Sequence, residues 1–311
     1  MIDLKKGVLL SSLTTFKTGG SAGYFVEASN EEQIVEAVNF AKENSLDVFV
    51  LGGGSNVIVS SKGFPGVVIK PKFESTAIID GKLHVGATVT MKQAVDFSID
   101  SSFGGLEWAG GLPGTVGGAI RGNAGCFGME MKDVASTVTS FDYKRRKKYT
   151  RKNMECKFGY RESYFKHNPH EVIISAVINL SLGDKEALRR VADDHIQYRQ
   201  DKHPMEYPSA GSIFKNTPVE RVPKDVLPEF ESLIKNDPFP VIPTAAIIAR
   251  TDCQGIKVGD AQLSEKHTNY IVNLGSATGE DIVAVIEEVK KRVRDKYKIS
   301  LEIEPQLLGF D

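Results

Sequence analysis

A loop of three consecutive glycines is the first feature of the sequence that suggests chemistry. Residues 52–56 read Gly-Gly-Gly-Ser-Asn and lie between a short apolar run and a β-branched one. Glycine adopts positive φ without strain, so successive backbone N–H groups of such a loop converge into a nest that binds an anion. The pattern is not that of a dinucleotide-binding Rossmann turn, because Val57 stands where the third glycine is needed. A pyrophosphate-binding loop and a glycine-rich turn without a ligand both stay open.

A second glycine-dense segment runs from Gly104 to Gly128. Glycine carries an entropic cost relative to alanine, and close approach of the backbone to a flat or phosphorylated ligand is the usual compensation. A series of tight bends in a small sheet is the structural alternative. No Gly-x-x-x-x-Gly-Lys-Ser/Thr loop occurs anywhere in the sequence, which excludes the common nucleotide hydrolases.

Helical and β-type patterns around these segments predict a mixture of helices and sheets. Periodicity and capping signals define each element, and Asp-Gly between two β-type runs indicates a type I′ hairpin. The predicted elements are a helix with a capping box at Ser29-x-x-Glu32, a strand at 47–51, a hairpin at Asp80-Gly81, strands near 134–141 and 172–180, helices over 185–199 and from Thr278, and a closing strand over 300–308. The basic run 144–148 is interpreted as a solvated hairpin tip.

Composition narrows the functional classes. The chain has 311 residues, of which 41% are apolar and 25% charged, as in a globular protein of about two domains. Its net charge of −1 argues against nucleic-acid binding. Since no apolar run approaches the ~18 residues that span a bilayer, we expect no membrane insertion. Three cysteines without pairing or metal-type spacing indicate a reducing, cytoplasmic location and no metal site.

Taken together, seven segments resemble the UDP-N-acetylenolpyruvoylglucosamine reductase family, in the family's order and across almost the whole chain. They are 14–20, 51–56, 105–128, 160–166, 208–216, 266–273 and 301–304. Residues 160–166 lead almost directly into the next strand, so the chain resembles the family's shorter type, which lacks a long insert. One departure affects the site: Pro305 follows Glu304 where a β-branched residue is typical, which puts the register of the C-terminal acid in question.

The resemblance implies an α+β protein with an FAD-binding fold of the vanillyl-alcohol-oxidase (PCMH) type in two subdomains, plus an α/β substrate-binding domain. It implies the first FAD-binding subdomain at 1–70 joined by 298–311, the second at 71–200, and the substrate-binding domain at 201–297. It also implies non-covalent FAD, NADPH as co-substrate, a UDP-sugar substrate and a cytoplasmic role in peptidoglycan precursor synthesis. The oligomeric state stays open.

By the same resemblance, Arg161 binds the substrate carboxylate, Ser212 donates a proton, and Glu304 stabilises or protonates the intermediate, with Glu302 as the alternative acid. Lys215 and Asn216 are implied to contact the substrate. The implied cofactor-binding residues are Gly52, Gly53, Gly54, Ser55, Asn56, Pro113, Gly114, Thr115, Gly117, Gly118, Asn123 and Gly125. Which of Arg199, Lys202 and Lys215 holds the diphosphate stays open.

Two other functions remain alternatives at this point. One is an FAD-dependent oxidase of an alcohol or sugar on the same fold, which would consume oxygen without NADPH. The other is a non-catalytic nucleotide-sugar binding protein that has lost its flavin.

Overall fold

The computed structural model describes residues 2–236 and 239–310, which fall into two compact units. Unit 1 comprises Met1–Val8, Ala22–Gly54 and Pro65–Arg199, and unit 2 comprises Leu9–Ser21, Ser55–Phe64 and Gln200–Asp311. Each unit therefore draws on segments that are distant in sequence.

The described residues contain eight α-helices and 21 short strands. The helices are α1 (Glu31–Glu43), α2 (Met91–Asp100), α3 (Val116–Arg121), α4 (Met131–Val134), α5 (Tyr164–His167), α6 (Lys185–Lys202), α7 (Thr244–Ile248) and α8 (Gly279–Tyr297). The strands are β1 (Lys5–Lys6), β2 (Ala22–Ala28), β3 (Val48–Val50), β4 (Val57–Val59), β5 (Phe64–Pro71), β6 (Thr76–Ile79), β7 (Lys82–Gly86), β8 (Phe103–Gly104), β9 (Gly125–Cys126), β10 (Met129–Glu130), β11 (Ala135–Asp142), β12 (Lys147–Lys152), β13 (Glu171–Asn179), β14 (Ser181–Leu182), β15 (Thr217–Pro218), β16 (Lys235–Asn236), β17 (Pro240–Ile242), β18 (Lys257–Val258), β19 (Ala261–Leu263), β20 (Ile271–Asn273) and β21 (Gln306–Leu308).

Unit 1 is built on two sheets. A four-stranded sheet has the order β1-β2-β5-β3, and an antiparallel five-stranded sheet has the order β12-β11-β13-β7-β6. The predicted hairpin joins β6 and β7, and its turn residues Asp80 and Gly81 both have positive φ, as a type I′ turn requires. The basic run lies at the tip of the β11–β12 hairpin, as predicted. Small strand pairs β8/β14 and β9/β10 complete the unit.

Helix α1 shows how local sequence places an element in unit 1. Its buried face carries Ile34, Ala37 and Ala41, which pack into an apolar cluster with β2 and β5. The predicted capping box at Ser29 is wrong by one residue. Asn30 is the N-cap, and its side chain accepts a hydrogen bond from the Gln33 backbone N–H at 2.9 Å. Asparagine caps a helix as well as serine does, so the neighbouring polar residue took the position.

Unit 2 packs around the long helix α8, whose residues Ile282, Val285 and Val289 are fully buried in a single core. The helix starts where it was predicted to, and the structure shows that Thr278 is its N-cap, in a reciprocal capping box with Asp281. Beside it, β21 pairs with β4 in parallel. The predicted closing strand over 300–308 is too long, because its regular part is β21 and only an isolated bridge forms at Ile303.

The segment boundaries of the three predicted domains stay a prediction. Residues 298–310 lie in unit 2, where β21 pairs with a strand from the first 70 residues. In the part of the chain that the structure describes, no helix has both the length and the apolar character needed to cross a membrane.

Candidate active site

The two glycine segments of unit 1 meet backbone to backbone. A Cβ added to Gly53 would lie 2.8 Å from the Cα of Gly114, closer than real side chains allow. Gly54 and Gly114 also have φ of 66° and 97°, a region that glycine adopts without strain. The glycines at these positions are therefore required by the packing of one loop on the other.

Next to the contact between Gly53 and Gly114, the backbone at Gly52 and Gly118 borders open space. A Cβ on Gly52 or on Gly118 would have one neighbour within 4 Å among the described atoms, the Thr115 hydroxyl, at 3.4 and 3.5 Å. Thr115 caps α3, since its hydroxyl accepts a hydrogen bond from the Gly118 N–H at 3.3 Å. Gly117 is different, because a Cβ there would lie 2.9 Å from the Cβ of Ala87. Gly52 and Gly118 thus border a space, while Gly117 serves packing.

A cation lies beside this space. The Lys70 ammonium contacts the Gly52 carbonyl oxygen at 3.4 Å, and burial lowers the pKa of Lys70. Backbone N–H groups, a hydroxyl and a partly buried ammonium are the donors that a pyrophosphate accepts. The residues present fit the pyrophosphate of FAD, which Gly52–Gly54 and Gly114–Gly118 would hold.

Other predicted cofactor-binding residues have different surroundings. The Asn123 side chain is fully buried; it donates to Glu130 and to the Gly159 carbonyl oxygen, both at 2.9 Å, and accepts from the Lys132 N–H. Any cofactor contact of Asn123 is consequently made by its backbone. Pro113 is exposed directly before Gly114. All these cofactor-binding assignments stay predictions.

The loop 52–56 is divided between the units. Ser55 and Asn56 belong to unit 2, where the Asn56 carbonyl oxygen accepts from the Gln306 N–H at 3.0 Å and its side-chain amide contacts the Glu304 carbonyl oxygen at 3.4 Å. Asn56 therefore anchors the C-terminal segment that carries the predicted acid.

Arg161 lies at the corner of a tight turn. Gly159 and Glu162 close the turn with two reciprocal backbone hydrogen bonds of 2.9 and 3.0 Å. Arg161 has φ of 56°, a left-handed conformation that costs a non-glycine residue on the order of 1–3 kcal/mol and is concentrated at functional sites. One guanidinium nitrogen, Nη2, donates to the Gly125 carbonyl oxygen at 3.0 Å, which directs the side chain to strand β9.

Ser212 and Glu304 lie on adjacent extended segments of unit 2. Ser212 bridges Tyr270, and the next residue, Ile213, donates its N–H to the Asn269 carbonyl oxygen at 2.8 Å. On the other side, the Glu304 N–H donates to the Ile213 carbonyl oxygen at 2.8 Å. The structure thus brings these two predicted residues together through one backbone strand.

Glu302 and Glu304 differ in their surroundings. Glu302 is exposed and forms ion pairs with Lys215 at 2.5 Å and Arg221 at 3.1 Å. The hydrogen bond from Lys215, despite partial desolvation, holds the pKa of Glu302 below its ordinary value. Glu304 is half-buried. These contacts make Glu302 a partner of Lys215 and favour Glu304 as the acid of the site.

Lys215 and Asn216, the predicted substrate-binding residues, also hold α7. The Lys215 carbonyl oxygen accepts from the Thr244 hydroxyl at 2.7 Å, and Asn216 Oδ1 accepts from the Thr244 N–H at 3.3 Å. The substrate-binding roles of both residues stay predictions.

One potential metal cluster occurs among the described residues. Single ligand atoms of Asp142, His170 and Glu171 lie within 4.8 Å of one another. Both oxygens of Glu171 already accept from Arg151, at 2.6 and 2.8 Å, and from Ser140 and Tyr164. A carboxylate saturated by a guanidinium is a poor cation ligand, so this cluster supports no metal site.

Sequence reasoning missed one cation that the structure places beside predicted site residues, Lys70, and nothing in its local sequence marks it. Arg199, one of the three candidates for the diphosphate, lies against the Cys126 thiol at 3.0 Å. Its role stays a prediction.

Two family models match this chain. Residues 22–143 match an FAD binding domain, and residues 203–308 match the C-terminal domain of UDP-N-acetylenolpyruvoylglucosamine reductase. These matches fall on the segments that carry the glycine loops and on the segment that carries Ser212 and Glu304.

Similar proteins cover nearly the whole chain. The UDP-N-acetylenolpyruvoylglucosamine reductase of Clostridium novyi is 33% identical over 99% of this chain and 92% of its own length, and that of Carboxydothermus hydrogenoformans is 34% identical over 96% and 92%. A crystal structure of the reductase from Thermus caldophilus superposes with a TM-score of 0.78 at 28% identity, covering 99% of this chain and 100% of the other. The predicted fold class is confirmed, and the chain belongs to the UDP-N-acetylenolpyruvoylglucosamine reductase family.

Proposed function

We propose that this chain reduces the enolpyruvyl double bond of UDP-N-acetylglucosamine enolpyruvate to give UDP-N-acetylmuramate, with FAD as bound cofactor and NADPH as electron source. Family membership over almost the whole chain is the observation that carries this proposal. The FAD-binding domain match and the fit of the glycine segments to a pyrophosphate support the cofactor.

FAD, when bound, carries the hydride that is added to the β carbon of the enolpyruvyl group. The residues of the chain must then stabilise negative charge that spreads into the substrate carboxylate, and must deliver a proton to the α carbon. Arg161 takes the first role, because its guanidinium offers a planar, permanently charged fork to a carboxylate. The strained turn that presents Arg161 supports this assignment.

Ser212 takes the second role, as the proton donor. A serine hydroxyl is a poor acid in water, so it serves only if it is held in place next to a strongly basic carbon. The hydrogen-bonded segments on both sides of Ile213 provide that rigidity. Glu304 stabilises the intermediate or helps to supply the proton.

Composition supports the proposed location and partners. Three cysteines outside any disulfide among the described residues and the near-zero net charge support a cytoplasmic enzyme that binds neither nucleic acid nor membrane. A UDP-sugar is the substrate that the family membership favours.

The visible spectrum of the purified protein tests the reaction. We expect an oxidised flavin band that NADPH bleaches and that returns, without oxygen, when UDP-N-acetylglucosamine enolpyruvate is added. Return of the band only in air would favour the oxidase alternative, and a colourless protein that binds UDP-sugars but not FAD would favour the non-catalytic one.

A further inference from the structure

The turn that presents Arg161, residues 159–162, is followed by a serine that does not cap its own helix. Ser163 is 1% exposed and occupies the N-cap of α5, where a serine hydroxyl usually accepts a hydrogen bond from the first turn of the helix. In the described part of the chain its hydroxyl makes no such bond and donates instead to the Arg121 carbonyl oxygen at 2.6 Å. The Ser163 side chain therefore links the turn to the C-terminal end of α3.

The other end of this turn is attached to the same loop. The Asn123 side-chain amide donates to the Gly159 carbonyl oxygen at 2.9 Å. The rest of this amide is held by Glu130, which accepts from it, and by the Lys132 N–H, which donates to it, both at 2.9 Å. Because Asn123 is also fully buried, its amide is fixed in orientation. Residues 121–125 consequently hold the turn at both ends.

Backbone strain indicates that the turn needs these attachments. Arg161 and Asn123 have φ of 56° and 42°, in the left-handed region that residues other than glycine seldom adopt. Such conformations persist only where the surrounding contacts over-determine them. The Arg161 guanidinium also contacts the Gly125 carbonyl oxygen, so both the backbone and the side chain of this arginine are positioned by residues 121–125.

The position of Arg161 matters to the proposed reaction. A guanidinium binds a carboxylate best as a planar fork with two parallel N–H donors, and this geometry is lost when the fork is displaced or tilted. A misplacement of ~1 Å in an active site can cost about 10²-fold in rate. A hydroxyl that fixes the turn can therefore affect the reaction without touching the substrate.

We propose that Ser163 is a positioning residue: its hydroxyl holds the turn on residues 121–125 and thereby keeps the Arg161 guanidinium in place for the substrate carboxylate. This inference rests on the proposed function, since the carboxylate belongs to its substrate. The competing role is stability alone, in which the hydroxyl only satisfies a buried carbonyl group, and the experiment separates the two.

The test compares Ser163→Ala with Ser98→Ala, both as FAD-loaded proteins. Ser98 is the matched control, because it is also fully buried in unit 1 and its hydroxyl donates to the Ala94 carbonyl oxygen at 2.8 Å within α2. Two ligands are titrated against the oxidised proteins: UDP-N-acetylmuramate, which carries a carboxylate, and UDP-N-acetylglucosamine, which does not. For Ser163→Ala we expect about tenfold weaker binding of the first ligand and unchanged binding of the second. Substrate-driven return of the flavin band should slow by about 10²-fold, whereas Ser98→Ala should lower only the melting temperature.

A double-mutant cycle with Arg161→Gln tests whether Ser163 acts through Arg161. Without the guanidinium there is nothing left to position. Adding Ser163→Ala to Arg161→Gln should therefore change the affinity for UDP-N-acetylmuramate and the rate of the substrate step by less than about twofold. The melting temperature should still fall, because the Arg121 carbonyl oxygen loses this donor in either background.

Three outcomes would overturn the assignment. They are equal weakening of both ligands, wild-type ligand discrimination and rate in a folded Ser163→Ala protein, and a full effect of Ser163→Ala in the Arg161→Gln background. If Ser163→Ala does not fold, Ser163→Cys takes its place in every comparison, because a thiol is of similar size and a weaker hydrogen-bond donor. If the wild-type protein itself shows no substrate-driven return of the flavin band, the proposed function fails, whereas selective loss of the carboxylate ligand in the Ser163 variant would still support the positioning role.

Discussion

The glycine segments of unit 1 and the Ser212 segment of unit 2 are candidate functional regions built in different ways. The first is made of backbone: Gly53 lies on Gly114, and Gly52 and Gly118 leave a space beside the Thr115 hydroxyl. The second is made of side chains on paired segments, where Ile213 connects Ser212 to both Asn269 and Glu304. In the backbone region an added carbon meets either the facing loop, as at Gly53, or the space beside Thr115, as at Gly118, whereas a side-chain site tolerates changes that preserve shape. Substitutions in the side-chain region should therefore slow the reaction, whereas substitutions in the backbone region should weaken FAD binding or disturb the fold.

Ser212→Ala should have the largest effect on the side-chain region. A positioned general acid contributes about 10²–10⁴-fold in rate. We expect NADPH to bleach the flavin at near-normal speed, because that hydride transfer needs no proton from Ser212. Return of the band with substrate should be at least ~10²-fold slower. Stopped-flow absorbance of the two steps measures this, with Ser276→Ala, on an exposed loop, as the control. Equal slowing of both steps would reduce Ser212 to a role in shaping the site.

Variants of Glu302 and Glu304 test which of the two is the functional acid. Glu304→Gln should bind FAD and fold normally but slow the substrate step by about 10²-fold. Glu302→Gln should leave that step near normal and lose only its exposed ion pairs with Lys215 and Arg221, worth about 0–1 kcal/mol. Single-turnover rates and thermal unfolding of both variants check it. The reverse result would show that Pro305 shifts the functional acid to Glu302.

In the backbone region, Gly118→Ala separates cofactor binding from folding. The new methyl group has only the Thr115 hydroxyl at 3.5 Å among described atoms, and alanine in a helix is about 0.5–1 kcal/mol more favourable than glycine. We expect an apoprotein of equal or higher melting temperature whose affinity for FAD is about tenfold lower. Gly53→Val is a poorer test, because its side chain would collide with the Gly114 backbone and disturb the fold itself. Unchanged FAD affinity in Gly118→Ala would remove α3 from the cofactor site.

The smallest expected effect is on stability. It concerns a structural contact of Glu280 in unit 2 that takes no part in the proposed reaction. Although desolvation opposes it, hydrogen bonds from Ser60 and Ser61 lower the pKa of Glu280 to about 2. Because the carboxyl pKa is lower in the folded than in the unfolded protein, ionised Glu280 stabilises the fold at pH values above the unfolded pKa of about 4.5. That stabilisation is lost as the pH falls toward the folded pKa of about 2. Because Glu280 is exposed, solvent screening reduces the effect to about 1 kcal/mol.

Glu280→Gln should therefore lower the free energy of unfolding at pH 7 by about that amount. The difference from wild type should shrink between pH 4.5 and 2, as denaturant titrations across this range would show. The exposed Glu287→Gln on the same helix is the control. A difference that is constant with pH would mean that the carboxylate charge is irrelevant.

The backbone region could be predicted from the sequence itself, whereas the side-chain region could not. The density of glycines identified the backbone region, because few other arrangements explain so many glycines. The type I′ hairpin and the start of the last helix near Thr278 could also be predicted, each from a short local pattern. Ser212, Arg161 and Glu304 were assigned only through the family resemblance, since a turn serine or a surface arginine looks the same in a sequence. The Asn30 cap and the short β21 were missed because adjacent residues compete for such positions. The contacts of Arg199 with Gly110 and Cys126 could not be predicted, because these residues are far from it in the sequence.

The pairing of β21 with β4 has a consequence for the order in which the protein folds during synthesis. Strand β4 and the loop segments around it leave the ribosome long before their partner strand β21, which lies far downstream in the sequence. Most of unit 1 is complete in the nascent chain by Arg199, so it has its core available first, as domains that fold during translation do. Residues 55–64 must wait for a contact of very high sequence separation, which makes unit 2 the slow-forming part of the molecule. Until then β4 presents unpaired backbone, and chaperones or self-association would act at this strand.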